Sequence, residues 1–302
     1  MKILVTGSTG LVGSSLVPFL LTGGHDVIRL VRRAPTNDSE IQWEPDAGKI
    51  DLKDVGDLDA AVHLAGESIS DRWSRKKKSK IQDSRIQGTQ LLASAVAQLE
   101  NQRTVFVSAS AIGFYGNRGN EVLTEESKPG NDFLSSVCQS WENATQPLEE
   151  KEIRTVHLRF GVILSPKGGA LAKMLPVFQL GQGSNLGSGR QYMSWIGISD
   201  AVGAIYHAIM TKELSGPVNV VGPNPVTNAD FTKTMGRVLK RPTVVPGILG
   251  KLTTLVLFGE MATALLFTSQ RVTPDKLIGT GYQFRHADLE LALSHVLGRQ
   301  TG

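Results

Sequence analysis

Gly7, Gly10 and Gly13 follow the apolar run Ile3-Leu4-Val5 and open a segment with helical spacing. Each glycine suits a pyrophosphate site: Gly7 makes the tight turn, Gly10 lets backbone approach the phosphates, and Gly13 lets helix pack on strand. The phosphates then lie at the helix's positive end. A glycine string also occurs for packing reasons alone, so it is the strand–loop–helix setting that points to a dinucleotide. Gly7, Thr9, Gly10, Leu11, Val12 and Gly13 are the expected phosphate-side contacts. A 2′-hydroxyl or 2′-phosphate on the ribose is read at the end of the next strand, about 20 residues on. There the chain reads Arg29-Leu30-Val31-Arg32-Arg33, with no acid closing it. An acid would repel a 2′-phosphate, whereas a guanidinium binds one bidentately. Arg32 and Arg33 therefore favour NADP(H) over NAD(H), the alternative being that one of the two only caps the surface.

The elements that must hold such a site alternate along the chain. Short β-branched runs at 3–5, 27–31, 61–64, 105–108, 155–159 and 218–221 predict strands, and 13–21, 79–98, 133–151 and 199–211 predict helices. Strands separated by helices give an α/β fold, a doubly wound parallel Rossmann sheet. The core is expected over 1–165, completed by about 198–222. A smaller C-terminal α/β lobe on the substrate side takes 166–197 and 223–302, beginning where Gly168-Gly169 and the glycine-rich stretch 181–189 break the rhythm into a mobile loop. The apolar stretch 252–267 is shorter than a bilayer span of about 20 residues and contains Glu260, so it predicts a buried or amphipathic helix.

Composition narrows the remaining classes. The 302 residues are 40% hydrophobic and 20% charged with a net charge of +4, as in an ordinary globular protein. The basic run Arg75-Lys76-Lys77-Lys78 is too short to imply nucleic acid or a membrane surface and reads as a solvated helix face. Cys138 is the one cysteine, so no intrachain disulfide or thiolate cluster forms, and the six histidines lack metal-ligand spacing. No metal is expected. Neither a Gly-x-Ser-x-Gly elbow nor a Walker-type lysine occurs. The chain opens directly into its first strand, which leads to the cytoplasm as the expected compartment.

Further segments carry a resemblance: His63-Leu64-Ala65-Gly66-Glu67-Ser68-Ile69, Ser84-Arg85-Ile86, Ser108-Ala109-Ser110-Ala111-Ile112-Gly113-Phe114-Tyr115-Gly116, Ser194-Trp195-Ile196 with Asp200, and Gln270-Arg271-Val272-Thr273-Pro274. Together they resemble the extended short-chain dehydrogenase/reductases, in particular the atypical branch of epimerase family proteins with a distinctive C-terminal module. The resemblance implies that Leu64, Ala65 and Gly66 run beside the adenosine and pyrophosphate. It implies that Glu67 and Arg85 are polar neighbours of the cofactor, with a plain surface role as the alternative for Glu67. It adds Ser108 and Phe160 as cofactor contacts, the latter at the nicotinamide end, and makes Asp200 a structural tether for the second lobe. It also implies a homodimer through the helices 79–98 and 133–151.

The chain departs from that family where the chemistry is done. The wider group uses a Tyr-x-x-x-Lys pair on one helix face, the tyrosine as general acid or base and the lysine lowering its pKa. Registered on Glu142, those positions hold Leu134 and Cys138, and the usual serine position holds Ala111. Ser110 and Tyr115 are the best-placed hydroxyls left, as catalytic candidates or merely as cofactor or packing contacts. Two functions follow. One is an NADP(H)-dependent oxidoreductase or epimerase acting on a small polar metabolite held near Tyr115, Trp195 and the loop 181–189. The other is a non-catalytic NADP(H)-binding sensor or scaffold, in keeping with relatives connected with division of cells or plastids. The retained second lobe favours the first, the missing pair the second.

Overall fold

The computed structural model describes residues 1–100, 103–244, 260, 264 and 266–299. Most of the apolar stretch 252–267 lies outside the described residues. Eight strands form the main sheet: β1 (Lys2–Thr6), β2 (Asp26–Val31), β3 (Glu40–Glu44), β4 (Lys49–Ile50), β5 (Ala60–His63), β6 (Val105–Ala111), β7 (Thr155–Phe160) and β8 (Gly216–Val220), in the order β8-β7-β6-β5-β1-β2-β3-β4. All neighbours are parallel except β3 and β4. Ile3, Leu4 and Val5 are wholly buried, as a continuous apolar run must be when helices cover both faces of a parallel sheet. The chain winds outward from β1 through β2 and β3, then returns to the other side of β1 at β5. The β1–β5 boundary is therefore the switch point, where doubly wound sheets open a crevice beyond their carboxyl ends.

Helices α1 (Gly13–Thr22), α2 (Arg75–Ala97), α3 (Phe133–Asn143), α4 (Gln146–Glu149), α5 (Gly169–Gln179), α6 (Ile198–Met210) and α7 (Asn228–Leu239) follow in chain order. Leu16 and Leu20 of α1 and Ile205 and Ala208 of α6 cover one face over Val5, Val107 and Val156. Leu92 and Val96 of α2 and Leu148 of α4 cover the other over Leu4 and Phe106. A separate apolar cluster joins α5, α7 and the helix Leu289–Val296 through Leu171, Phe178, Phe231, Met235 and Leu293. Asp200 ties the C-terminal segment to α6: its carboxylate accepts from the backbone N–H groups of Arg285 (2.7 Å) and His286 (3.2 Å). It is a tether, as the resemblance implied.

The structure differs from the sequence expectation in places. β3 and β4 extend the sheet beyond β2. The helix expected over 133–151 breaks at 144–145, because Pro147 has no N–H to continue it and starts α4 instead. The stretch 181–189 is not only loop, since Gly183–Ser184 pairs with Thr243–Val244.

Candidate functional site

The crevice is built first from backbone. Gly7 has φ +64°, and a Cβ there would lie 2.7 Å from the carbonyl carbon of Leu64 and 2.8 Å from the nitrogen of Ala65. Only a residue without a side chain lets the turn after β1 rest on the chain leaving β5. A Cβ at Gly13 would overlap the carbonyl oxygen of Gly7, and the Gly10 N–H closes the turn on that same oxygen at 2.9 Å. Thr6 locks the two strands together, its Oγ1 accepting from the N–H groups of Leu64 (3.1 Å) and Ala65 (3.2 Å). With both lone pairs used, its hydrogen goes to Nδ1 of His63 at 2.8 Å. That assigns the remaining proton to Nε2, which is buried without a partner among the described residues. Burial, aided by the charge of Arg85, pulls the His63 pKa down to about 4, so the ring is neutral.

At the expected adenosine end the two arginines part company. Arg33 forks onto Glu40, NH1 to Oε2 at 2.8 Å and NH2 to Oε1 at 2.7 Å, and Arg29 reaches the same carboxylate at 3.0 Å. The Arg33 hydrogen bonds first, and then the Thr36 N–H, hold the Glu40 carboxyl down to about 2. Arg33 is thus committed to the start of β3, the surface-capping alternative raised by the sequence. Arg32 is exposed and makes no hydrogen bond or ion pair among the described residues, although its charge acts on Glu67. The Glu67 carboxylate itself is held by Lys77 Nζ at 2.7 Å, which lowers its pKa, and Lys77 also reaches Asp71 at 2.8 Å. The backbone of Glu67 joins α2, its N–H donating to Ser84 Oγ at 3.0 Å and its carbonyl accepting from Arg85 at 3.0 Å.

Strand parity decides what β6 shows to the crevice. Ala109, Ala111 and the following Gly113 are partly exposed, while Ser108 and Ser110 are buried on the opposite face. Ser110 Oγ donates to Glu142 Oε1 at 2.7 Å. Arg159 grips the same carboxylate through Nε and NH2, both at 2.8 Å, and donates from NH1 to the Tyr115 hydroxyl at 3.0 Å. Tyr115 in turn donates to Asn219 Oδ1 at 2.6 Å. Its ring is 0% exposed, and burial pushes its pKa up to about 12. Ser110 and Tyr115, the candidate catalytic hydroxyls, are thus both engaged in a buried network that ties α3 to β6, β7 and β8. Ser108, expected as a cofactor contact, is buried, and its hydroxyl donates to the Ala109 carbonyl at 3.2 Å. Phe160 packs into the core on the α1 and α6 face. Trp195, expected beside the substrate, is 1% exposed and donates from Nε1 to the Asn224 carbonyl.

Leu134 and Cys138 do lie where an acid–base pair would, beside the crevice floor. A Cβ at Gly113 would sit 3.3 Å from Leu134 Cβ and 3.8 Å from Cys138 Sγ. Neither side chain transfers protons there: Cys138 is buried, which pushes its thiol up to about 12. From the other side, the start of α5 approaches the glycine loop 7–13. Cβ atoms at Gly168 and Gly169 would each meet Leu11 at 3.2 Å, and Lys173 Nζ donates to the Ser70 carbonyl at 3.3 Å. The sequence reading missed Thr6 and the Glu142–Arg159 pair. An arginine inside the apolar run 155–160 was the available signal for the latter. Among the described residues no group of His, Cys, Asp or Glu is placed to hold a metal, and no helix is long and apolar enough to cross a membrane.

Comparison with known proteins agrees with this geometry. The model of the NAD dependent epimerase/dehydratase family matches residues 3–228, three quarters of the chain. The chain belongs to that family. Residues 245–296 of this epimerase/dehydratase family member match a further domain of unknown function. An epimerase family protein of Mycobacterium tuberculosis is 44% identical over 298 residues, 98% of each chain. The crystal structure of human epimerase family protein SDR39U1 (isoform 2) with NADPH has a TM-score of 0.89 at 33% identity, covering 99% of this chain and all of that one. A nucleoside-diphosphate sugar epimerase of Corynebacterium glutamicum has a TM-score of 0.82 at 38% identity, covering 99% of this chain and 58% of that chain.

Proposed function

We propose that this protein binds NADP(H) in the β1–β5 crevice and exchanges hydride between the cofactor and a small polar metabolite. The observation that carries the binding half is the backbone cradle at Gly7, which a single Cβ would fill. The human relative solved with NADPH supports the same cofactor. The loop 7–13 would hold the pyrophosphate at the start of α1, Arg32 the 2′-phosphate, and the edge formed by Leu64, Ala65 and Gly66 the sugars. When bound, the cofactor supplies a hydride. Ala109, Ala111 and Gly113 leave room above β6 for a flat ring. Hydride transfer in either direction also moves a proton, given to the carbonyl oxygen in reduction and taken from the hydroxyl in oxidation or in epimerisation through a ketone, and no group at Leu134 or Cys138 exchanges it. Water would then give or take that proton, at the loss of the roughly 10²–10⁴-fold that a positioned acid or base contributes. The substrate would be held between the crevice and the C-terminal lobe.

The burial of Ser110 and Tyr115 favours a second reading, an NADP(H)-bound sensor or scaffold without turnover. An untargeted mass-spectrometric comparison separates the two. A small-metabolite extract is incubated with the protein plus NADPH or NADP+, against a heat-killed control. A metabolite consumed with NADPH and replaced by a product two hydrogens heavier identifies the reductase and its substrate. A protein that retains NADPH while no metabolite changes is the sensor or scaffold. A product two hydrogens lighter with NADP+, or one differing only in stereochemistry, identifies a dehydrogenase or an epimerase respectively.

A further inference from the structure

Four cations gather where α7 ends, in the second lobe and apart from the crevice. Lys233, Arg237 and Lys240 stand at i, i+4 and i+7 and so share one stripe of the helix, and Arg241 follows. With Gly236, Pro242 and Thr243 they line a shallow pocket of about 400 Å³ that contains no carboxylate. Its shape comes from the chain turning back on the helix. Lys240 takes φ +53°, and the Arg241 N–H donates to the Gly236 carbonyl at 2.9 Å. A Cβ at Gly236 would lie 2.6 Å from Thr243 Cγ2 and 3.0 Å from the Arg241 carbonyl oxygen, so glycine is what lets the returning chain rest on the helix. The charges are largely unspent. All four residues are exposed, and Lys233, Lys240 and Arg241 make no side-chain hydrogen bond or ion pair among the described residues. Arg237 donates to Thr234 Oγ1 at 3.2 Å and pairs with Glu290 at 2.8 Å, but with side chains 55% and 45% exposed that pair is screened and readily exchanged. A helix C-terminus attracts cations within its last turn, which accounts for Arg237. Lys233 lies a turn further in and Arg241 beyond the end. Like charges at i, i+4 repel, and a positive φ disfavours a side chain at 240, so the arrangement stores repulsion that an anion would relieve.

We propose that this pocket binds a small molecule carrying two or more phosphate groups. The guanidinium forks of Arg237 and Arg241 suit phosphate oxygens bidentately, and the ammonium groups of Lys233 and Lys240 neutralise the remaining charge. Pro242 is the one apolar ring in the lining, so recognition rests on charge. From Lys233 to Lys240 the stripe runs two helical turns, roughly 11 Å, within reach of a short chain of phosphates and too short to track a nucleic-acid backbone. One phosphate alone leaves most of the repulsion in place. Leu180, 74% exposed, stands at the rim, since a Cβ at Gly181 would meet Pro242 at 3.3 Å. An anionic lipid surface is therefore the competing occupant. The pocket shares no residue with the β1–β5 crevice and stands whether or not that crevice holds NADP(H).

Tripolyphosphate, orthophosphate and sulfate are titrated by calorimetry into wild type, Lys233→Gln/Arg237→Gln, Lys240→Gln/Arg241→Gln and Arg32→Gln, the last altering the crevice instead. Zwitterionic vesicles with and without an anionic phospholipid are tested by co-sedimentation. Tripolyphosphate should bind wild type at least about tenfold more tightly than orthophosphate or sulfate, and more weakly as KCl is added, because exposed charges are screened. Each α7 double variant should lose about tenfold or more, the loss of two charge-assisted contacts, whereas Arg32→Gln should retain the binding. In wild type the anion should slow amide exchange over residues 236–243. The ligand-free thermal midpoint of Lys240→Gln/Arg241→Gln should be no lower than that of wild type, since only exposed repulsion is removed, so its lost binding is not lost folding. A wild type that does not bind tripolyphosphate overturns the site, as does equal binding by both α7 variants or a loss confined to Arg32→Gln. Orthophosphate or sulfate held as tightly as tripolyphosphate reduces the patch to an unselective anion sink and also overturns it. Binding to anionic vesicles that the α7 variants abolish, without tripolyphosphate binding in solution, assigns this face to a membrane and overturns the small-molecule site.

Discussion

At the Gly7 end of the crevice the decisive contacts are backbone on backbone, Gly7 against Leu64 and Ala65 and Gly13 against Gly7, with Thr6 bonded to both strands. At the β6 end they are side chain on side chain, Ser110, Glu142, Arg159, Tyr115 and Asn219 in one buried chain of hydrogen bonds. The first arrangement constrains residue size and leaves the surface for a ligand. The second takes polar groups from positions near the usual chemistry and turns them into internal fastening. The two ends of one crevice thus follow different rules, and the backbone end can persist unchanged while the side-chain end is rebuilt.

The largest effect should come from breaking the fastening. Glu142→Gln leaves Arg159, 4% exposed at its side chain, without its counter-charge, and removing one partner of such a buried pair costs about 3–5 kcal/mol. Denaturant unfolding should show that loss. NADPH affinity measured well below the midpoint should stay near wild type, since none of the network's groups faces the crevice. Tyr115→Phe goes with it: a loss of about 1 kcal/mol and unchanged turnover of any substrate found. A stable Tyr115→Phe protein without turnover would return the hydroxyl to catalysis and undo the contrast.

Gly13→Ala attacks the other half. Its Cβ would overlap the Gly7 carbonyl oxygen, a backbone atom that cannot swing aside. Overpacking of this kind costs about 3 kcal/mol, and here it displaces the loop proposed to hold the phosphates, so NADPH binding should fall along with the thermal midpoint. Binding at wild-type strength would show the cradle to be softer than its geometry indicates.

These two halves also differed in how far the sequence revealed them. Six strands were visible because β1, β2 and β5 to β8 are apolar runs whose pattern reports burial directly. β3 was not, because Glu40-Ile41-Gln42-Trp43-Glu44 carries only two apolar residues in alternation toward the sheet edge. Glycine spacing announces the tight turn at 7–13 because the requirement is local to seven residues. The fate of Ser110 and Tyr115 is not local. It depends on register that sets Ser110 beside Arg159 and Arg159 beside Asn219 across three strands. Strand alternation puts Ser108 and Ser110 on one face and Ala109 and Ala111 on the other, yet only the placement of α3 says which face is sealed.

His63 tests the strand staple through pH. Its folded pKa of about 4 lies below the ordinary histidine value of 6.5, so the unfolded chain binds the proton more readily between those limits. Stability is then full above pH 6.5 and declines as pH falls toward 4, by about 3 kcal/mol at most. Urea unfolding at steps from pH 7 to 4.5 should trace that slope. His63→Asn, whose Oδ1 accepts the Thr6 hydroxyl, should flatten it, and an unchanged slope would assign the acid sensitivity to other groups.

The smallest effect, and the finest test of the binding half, separates Arg32 from its neighbour. Both are exposed, but Arg33 spends its fork on Glu40 while Arg32 makes no hydrogen bond or ion pair among the described residues. If the 2′-phosphate is read at the end of β2, Arg32→Gln should weaken NADPH about tenfold, the loss of a charge-assisted contact, and leave NADH binding nearly unchanged. Arg33→Gln should alter the preference much less and instead loosen the turn at 33–40. The ratio of NADPH to NADH affinities in the two variants is the measurement. Equal losses of preference would mean that Arg33 leaves Glu40 when the phosphate arrives, so the carboxylate's partner in the folded chain would be exchangeable for a ligand. An unaltered preference in both would move 2′-phosphate recognition to the α2 side, where Lys77 and Lys80 already act on Glu67.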